Sequence, residues 1–282
     1  MRLASAMHNG RATYGIVVGD RLIDLGRLIG TQYPDLRSLL AAGPALLGQL
    51  REQQADIPLD QITFLPVIPN PDKIFCVGLN YRSHVAETGR TESEKPAIFI
   101  RFAASQIGHG QPMLRPKVST DFDYEGELAL VIGKRGRYIP RDRALDYVAG
   151  YSCYNDGSLR DWQRHTHQWT PGKNFPATGS FGPWLVTADE IPDPTKLELA
   201  TRLNGQTVQS SSLDLLIFSI PEIIEYCSAW SELIPGDVIV TGTPGGVGFK
   251  RTPPLFMKPG DITEVEISGI GTLRNPILDE SL

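Results

Sequence analysis

The chain has 282 residues, 41% hydrophobic and 21% charged, which is the composition of an ordinary globular protein long enough for one large domain or for one domain plus a small appendage. A formal net charge of -5, with no basic stripe interleaved with aromatics, argues against a nucleic-acid partner. No apolar run approaches bilayer length, Met1 to His8 lacks the apolar stretch of a signal peptide, and Cys76, Cys153 and Cys227 form no CxxC pair, so the expectation is a cytoplasmic protein with buried, reduced thiols and no membrane partner.

Residues 1 to about 66 read as a small leading α/β unit. Thr13 to Val18 and Arg21 to Leu25 are strand-like, with a tight turn at Gly19-Asp20. Leu36 to Leu50 carries leucines on a helical spacing. Pro66, Pro69 and Pro71 then interrupt any regular element and mark a linker. From there to about residue 280 the chain is mainly β, of an α+β class. The predicted strands are Ile74 to Gly78, Ala97 to Phe102, Glu125 to Ile132, Leu197 to Leu203, Asp237 to Thr241 and Ile262 to Ile267. Helical pattern is confined to Ser83 to Thr88, Arg143 to Asp146, Ser158 to Gln163 and Ser219 to Ser228, the last with a serine cap and Pro221 just inside. Many short strands and few helices predict a closed or folded-over sheet.

The densest chemistry lies in Asp121-Phe122-Asp123-Tyr124-Glu125-Gly126-Glu127, four acids that run into an apolar strand. Glu125 and Glu127 are two apart, so a strand points both side chains to one face. Two carboxylates there repel unless a cation lies between them or one is protonated, and hard oxygen donors suit Mg²⁺, Mn²⁺ or Ca²⁺. The plainer alternative is a solvent-facing acidic strand end. In Asn155-Asp156-Gly157-Ser158-Leu159-Arg160-Asp161-Trp162-Gln163, Asp156 could supply a third carboxylate or merely cap a helix. Arg160 and Gln163 would share its helix face, and Arg160 has the fork that matches a substrate carboxylate.

His84 and Glu87 are three apart, so one helical turn brings them together. They read either as a carboxylate-oriented base or as an exposed ion pair. Lys173, in a glycine-flanked loop, is an oxyanion binder or a surface cation. The glycine-dense run Thr241 to Gly248 follows a strand with no helix pattern after it; it fits neither a P-loop nor GxGxxG, and it offers Thr243 as a donor. His165 and His167 have metal-like spacing but no third partner, and GxSxG is absent.

In sequence order, Gly78-Leu79-Asn80-Tyr81-x-x-His84-x-x-Glu87, Tyr124-Glu125-Gly126-Glu127-Leu128, Asn155-Asp156-x-Ser158-x-Arg160-Asp161-x-Gln163, Gly172-Lys173 and Thr241-Gly242-Thr243-Pro244-x-Gly246-Val247-Gly248 resemble the successive signatures of the fumarylacetoacetate hydrolase superfamily, in its bacterial type with a small N-terminal domain. The resemblance implies a mixed β-sandwich roll over residues 72–280, a small domain over residues 1–66, and a homodimer. It implies Glu125, Glu127 and Asp156 as ligands of Mg²⁺ or Mn²⁺, His84 and Glu87 as a water-activating dyad on a segment that can act as a lid, and Lys173 beside the metal and the substrate oxygens. Arg160, Gln163 and Thr243 would touch the substrate. The sequence departs from the usual pattern at Gly157, Leu159 and Asn174, where valine, alanine and serine are more familiar; these positions bear on substrate identity rather than on metal binding.

The expected activity is metal-dependent hydrolysis of a carbon–carbon bond in a 2,4-dioxo acid such as an acylpyruvate or a diketo sugar acid, with release of pyruvate or a related acid. A second reading is an isomerase or decarboxylase of 2-hydroxymuconate-type or oxaloacetate-like 2-oxo dicarboxylates in aromatic catabolism, for which Arg101 would bind the second carboxylate. A third is a non-catalytic, metal-stabilised 2-oxo acid binding protein, which would have no need of His84 and Glu87.

Overall fold

The computed structural model describes residues 1–281. Its leading strand, Arg2–His8, forms a hairpin with Arg11–Val18 through Asn9 and Gly10, and Arg21–Asp24 follows after Gly19-Asp20. The predicted long helix is two short ones, Leu36–Ala41 and Pro44–Leu50. Gly43 and Pro44 break it, because proline has no N–H for the preceding turn and its ring crowds it. Asp35 caps the first piece by accepting from Ser38 N at 2.7 Å, and its other oxygen takes Asn70 Nδ2 at 2.7 Å, tying the helix to the proline-rich linker.

The leading hairpin joins the main sheet edge to edge. Arg2–His8 pairs antiparallel with Gly179–Thr187, and the sheet continues through Val148–Asp156, Gly126–Ile132, Val238–Val240 and Ile74–Gly78 to Ala97–Ile100 at its rim. A second sheet runs Gln206–Ser212, Glu198–Leu203, Ile262–Ile267, Gly271–Asp279 and Met113–Arg115. The fold is α+β with mixed sheets, as the strand-rich pattern predicts.

Gly126–Ile132 shows how the layers stack. Every residue in it is buried, so it reads as a continuous apolar run rather than an alternation. Leu128, Leu130 and Ile132 pack with Leu199, Val265 and Ile267 of the second sheet and with Ile223 and Ile224 of the helix Ile220–Trp230. Ala129 and Val131 face the other way, toward Leu36, Leu39 and Leu47 of the leading helices. The strands Arg2–His8, Val148–Asp156, Gly179–Thr187, Gln206–Ser212 and Gly271–Asp279 carry no clear alternating signal in sequence. Gly179 to Pro183 is disguised by two glycines and a proline, and Gln206–Ser212 is a polar strand at a sheet edge.

Candidate metal and substrate site

The strand Gly126–Ile132 enters the site with Glu125 and Glu127 on the face of Ala129 and Val131. Across the ladder, Glu127 is opposite Tyr154, and the N–H of Asp156 donates to Glu125 O at 2.8 Å. Residues opposite each other share a face, so Asp156 projects beside both glutamates. One carboxylate oxygen from each of the three lies within 4.8 Å of the others, and all three side chains are buried. Asp156 therefore ends a strand and does not cap a helix. Ser158–Leu159 pairs with Phe122–Asp123, and only Arg160–Gln163 forms a helical turn, so the predicted common helix face of Asp156, Arg160 and Gln163 does not exist.

Cations frame the cluster. Lys173 Nζ lies 2.7 Å from Glu125 Oε2 and 2.6 Å from Asp156 Oδ2. Arg160 Nη1 is 2.6 Å from Glu125 Oε1, and its Nε is 2.8 Å from Asp123 Oδ2. Arg160 Nη2 is buried with no partner among the described residues. Burial would raise the Glu125 pKa, but the Arg160 and Lys173 charges hold it well below the usual carboxylate range. Glu127 goes the other way. Burial first, then the charges of Asp156 and Glu125, push it well up, and it accepts from the N–H of Gly242 rather than pairing with a cation.

That imbalance decides whether an ion fits. Three convergent buried carboxylates, one without a cation beside it, form a hard oxygen donor set with room for a divalent metal.

The opposite wall is the helix Arg82–Thr88. His84 Nδ1 lies 2.7 Å from Glu87 Oε1, and Gly246 N donates to Glu87 Oε2 at 2.8 Å, so the pair is oriented from two sides. Gly246 holds φ +105, and a Cβ there would lie 2.3 Å from Val208 O, which requires glycine. Buried Asn80 sets the start of this segment by donating to Thr241 O at 2.8 Å and Phe218 O at 3.0 Å. Gly78 is required as well, since its Cβ would lie 2.2 Å from the Trp169 ring.

A cleft of about 210 Å³ joins these walls. His84, Glu125, Glu127 and Lys173 line it, as do Arg160, Gln163 and Thr243, while Asp156 and Glu87 stand just behind. Arg101 is misplaced in the sequence reading. It is fully buried behind Asp156, where it bonds Asp156, Gly157 O and Thr178, and it does not reach the cleft. His165 and His167 are exposed and lie outside the cleft lining.

Sequence reasoning passes over Asp123, which is fully buried and holds Arg160 together with the N–H groups of Gly248 and Phe249. It also misses Gln209, which accepts from Gly126 N at 2.9 Å and donates to Thr243 Oγ1 at 2.7 Å, joining the ligand strand to the glycine-rich loop. The acid next to the glutamate motif was a readable signal for Asp123; nothing local announces Gln209.

Residues 73–278 match the family profile described as fumarylacetoacetate (FAA) hydrolase C-terminal. The chain is 39% identical over 266 residues, 92% of its length and 85% of the relative's, to the bovine (Bos taurus) mitochondrial oxaloacetate tautomerase FAHD2A. Its fold is similar to that of a 5-carboxymethyl-2-hydroxymuconate delta-isomerase from Mycobacterium smegmatis (TM-score 0.78, 32% identity, all of both chains covered). It is also similar to a maleylpyruvate hydrolase from Sphingobium sp. SYK-6, solved with manganese(II) and pyruvate (TM-score 0.84, 29% identity, all of both chains covered).

Proposed function

The chain belongs to the fumarylacetoacetate hydrolase family, and from that premise we propose that it is a divalent-metal-dependent enzyme moving a proton on a small 2-oxo acid, as a tautomerase or isomerase. The observation that carries this reading is the pairing of His84 with Glu87 across one cleft from three buried carboxylates.

Glu125, Glu127 and Asp156 would hold Mg²⁺ or Mn²⁺, which supplies Lewis acidity to the keto oxygen when bound. Glu87 fixes Nδ1 of His84, so Nε2 is the nitrogen left to take the proton from the carbon next to the keto group and to hand it on, to the enolate oxygen in a tautomerase or to a farther carbon in an isomerase. The charge developing on the enolate oxygen meets the Lys173 ammonium, whose carboxylate partners occupy two of its three protons. Arg160 offers Nη2 to the substrate carboxylate, while Asp123 and Phe249 hold its guanidinium in place. Phe99, whose ring centroid is 5.0 Å from Lys173 Nζ, packs edge-on against Trp169, and the two line the cleft and shield the Lys173 side of it from water.

A second reading keeps the same site. His84 Nε2 could instead activate water against the distal carbonyl of a 2,4-dioxo acid, which gives carbon–carbon hydrolysis. The likeness to a maleylpyruvate hydrolase favours it, while the dyad serves either reaction. The two are separated by incubating chelator-stripped protein and Mn²⁺ with oxaloacetate and with an acylpyruvate. Faster enol–keto exchange of oxaloacetate with an inert acylpyruvate supports proton transfer. Pyruvate release from the acylpyruvate, without exchange on oxaloacetate, transfers the assignment to hydrolysis.

A further inference from the structure

We infer that Arg90, Arg164 and Lys250, at the mouth of the cleft, form a specificity rim for a second carboxylate on the substrate, a deepening that rests on the 2-oxo acid reading above. All three line the cleft and are exposed. None forms an ion pair with a described residue, whereas Arg160 and Lys173 deeper in the same cleft each pair with two carboxylates. Exposed arginines elsewhere are mixed, since Arg135 and Arg141 pair with glutamates while Arg11, Arg51 and Arg137 form no ion pair with a described residue; what sets these three cations apart is that they line one cleft. A chain of net charge -5 thus leaves three cations together and unneutralised at one opening.

They are also held in place. The Arg90 guanidinium lies 5.4 Å from the Trp169 ring centroid, while Arg164 lies 5.7 Å and Lys250 5.5 Å from that of Phe249. Arg164 Nε donates to Arg160 O at 2.9 Å, which leaves its terminal nitrogens for a ligand. Phe249 is shared with Arg160, whose guanidinium is 4.4 Å from its centroid, so the rim adjoins the group that would take the first carboxylate.

Charge balance gives the rim its ligand. Inside, Glu87, Asp123, Glu125, Glu127 and Asp156 face Arg101, Arg160 and Lys173, which leaves two negative charges. A divalent ion would bring that inner group to neutrality, and Arg160 Nη2 would take the first substrate carboxylate. The rim cations remain unbalanced by anything the inner site holds, and a carboxylate at the far end of the acid answers them. A 2-oxo monocarboxylate makes no use of them.

The test measures binding rather than turnover. With Mg²⁺ present, titration calorimetry gives the dissociation constants of pyruvate and of oxaloacetate for the wild type, for Arg90→Gln, Arg164→Gln and Lys250→Gln, and for the triple variant. These side chains are exposed, so the substitutions leave the core untouched. The expected result is a preference for oxaloacetate that falls by at least about tenfold in the triple variant, the scale of a charge-assisted contact. Arg164→Lys should keep part of that preference, and added salt should erode it in the wild type. A preference unchanged within about twofold in the triple variant overturns the rim while leaving the 2-oxo acid reading standing. A wild type that binds neither acid, with or without metal, overturns both.

Discussion

At the residue scale the site is decided by which buried charges have partners. Arg101 is the clearest case. Its guanidinium holds Asp156 from behind, and both side chains are fully buried. Arg101→Met should therefore leave buried Asp156 with Lys173 as its one remaining cation, and cost about 2–3 kcal/mol in chemical unfolding. A cost under about 1 kcal/mol would show that Asp156 does not depend on it. Local spacing misassigns Arg101 because its partner is 55 residues away, and only the pairing of distant strands brings the two together. Glu125 and Glu127 were legible for the opposite reason: strand parity acts over two residues and needs no tertiary knowledge. His84 and Glu87 were legible through helical spacing. His84→Ala should abolish turnover while Mn²⁺ affinity by calorimetry stays within about threefold, because His84 belongs to the opposite wall. A parallel loss of metal affinity would place it in the metal site instead.

At the scale of elements, turns and caps set the positions of the functional groups. The glutamate strand is central and buried on both faces, which is why its signal was an apolar run ending in acids. The leucine spacing over Leu36 to Leu50 was correct in period but blind to Gly43-Pro44, where the backbone breaks. The cap at Asp35 gives a direct check on the leading unit. Burial alone would raise its pKa, but the Ser38 and Asn70 hydrogen bonds hold it below its ordinary value of 3.8. A lowered folded-state pKa contributes stability above the unfolded value and loses it as pH falls through the folded one. Asp35→Ala should thus cost about 1 kcal/mol at pH 7. The difference from wild type should shrink as the solution is taken below about pH 3.8, where the wild-type carboxylate also protonates. A difference independent of pH would mean that packing, not the ionised cap, is what the substitution removes.

At the scale of the molecule, the site is an assembly of segments far apart in sequence, joined by hydrogen bonds that no motif displays. Gln209 reaches from the second sheet to both Gly126 and Thr243, and Gly246 reaches from the glycine-rich loop to Glu87. The five motifs gave the order of these segments and the family; the second-sheet contact and the cationic mouth had to be seen in three dimensions. Among the described residues no helix is long and apolar enough to cross a membrane, and the three cysteines are buried and free. Divalent metal should raise the melting temperature through binding to the folded state, by an amount that grows with metal concentration.

The central claim is that the three carboxylates hold a divalent ion that the proton-transfer chemistry requires. The most direct measurement follows the enol–keto exchange of oxaloacetate by chelator-stripped protein while Mn²⁺ is titrated in, for the wild type and for Glu127→Gln. Wild-type activity should rise from background and saturate with the same midpoint as calorimetric Mn²⁺ binding. In Glu127→Gln both midpoints should shift upward together by about tenfold or more. Full activity in the stripped wild type, or Glu127→Gln behaving as wild type in both measurements, would contradict it.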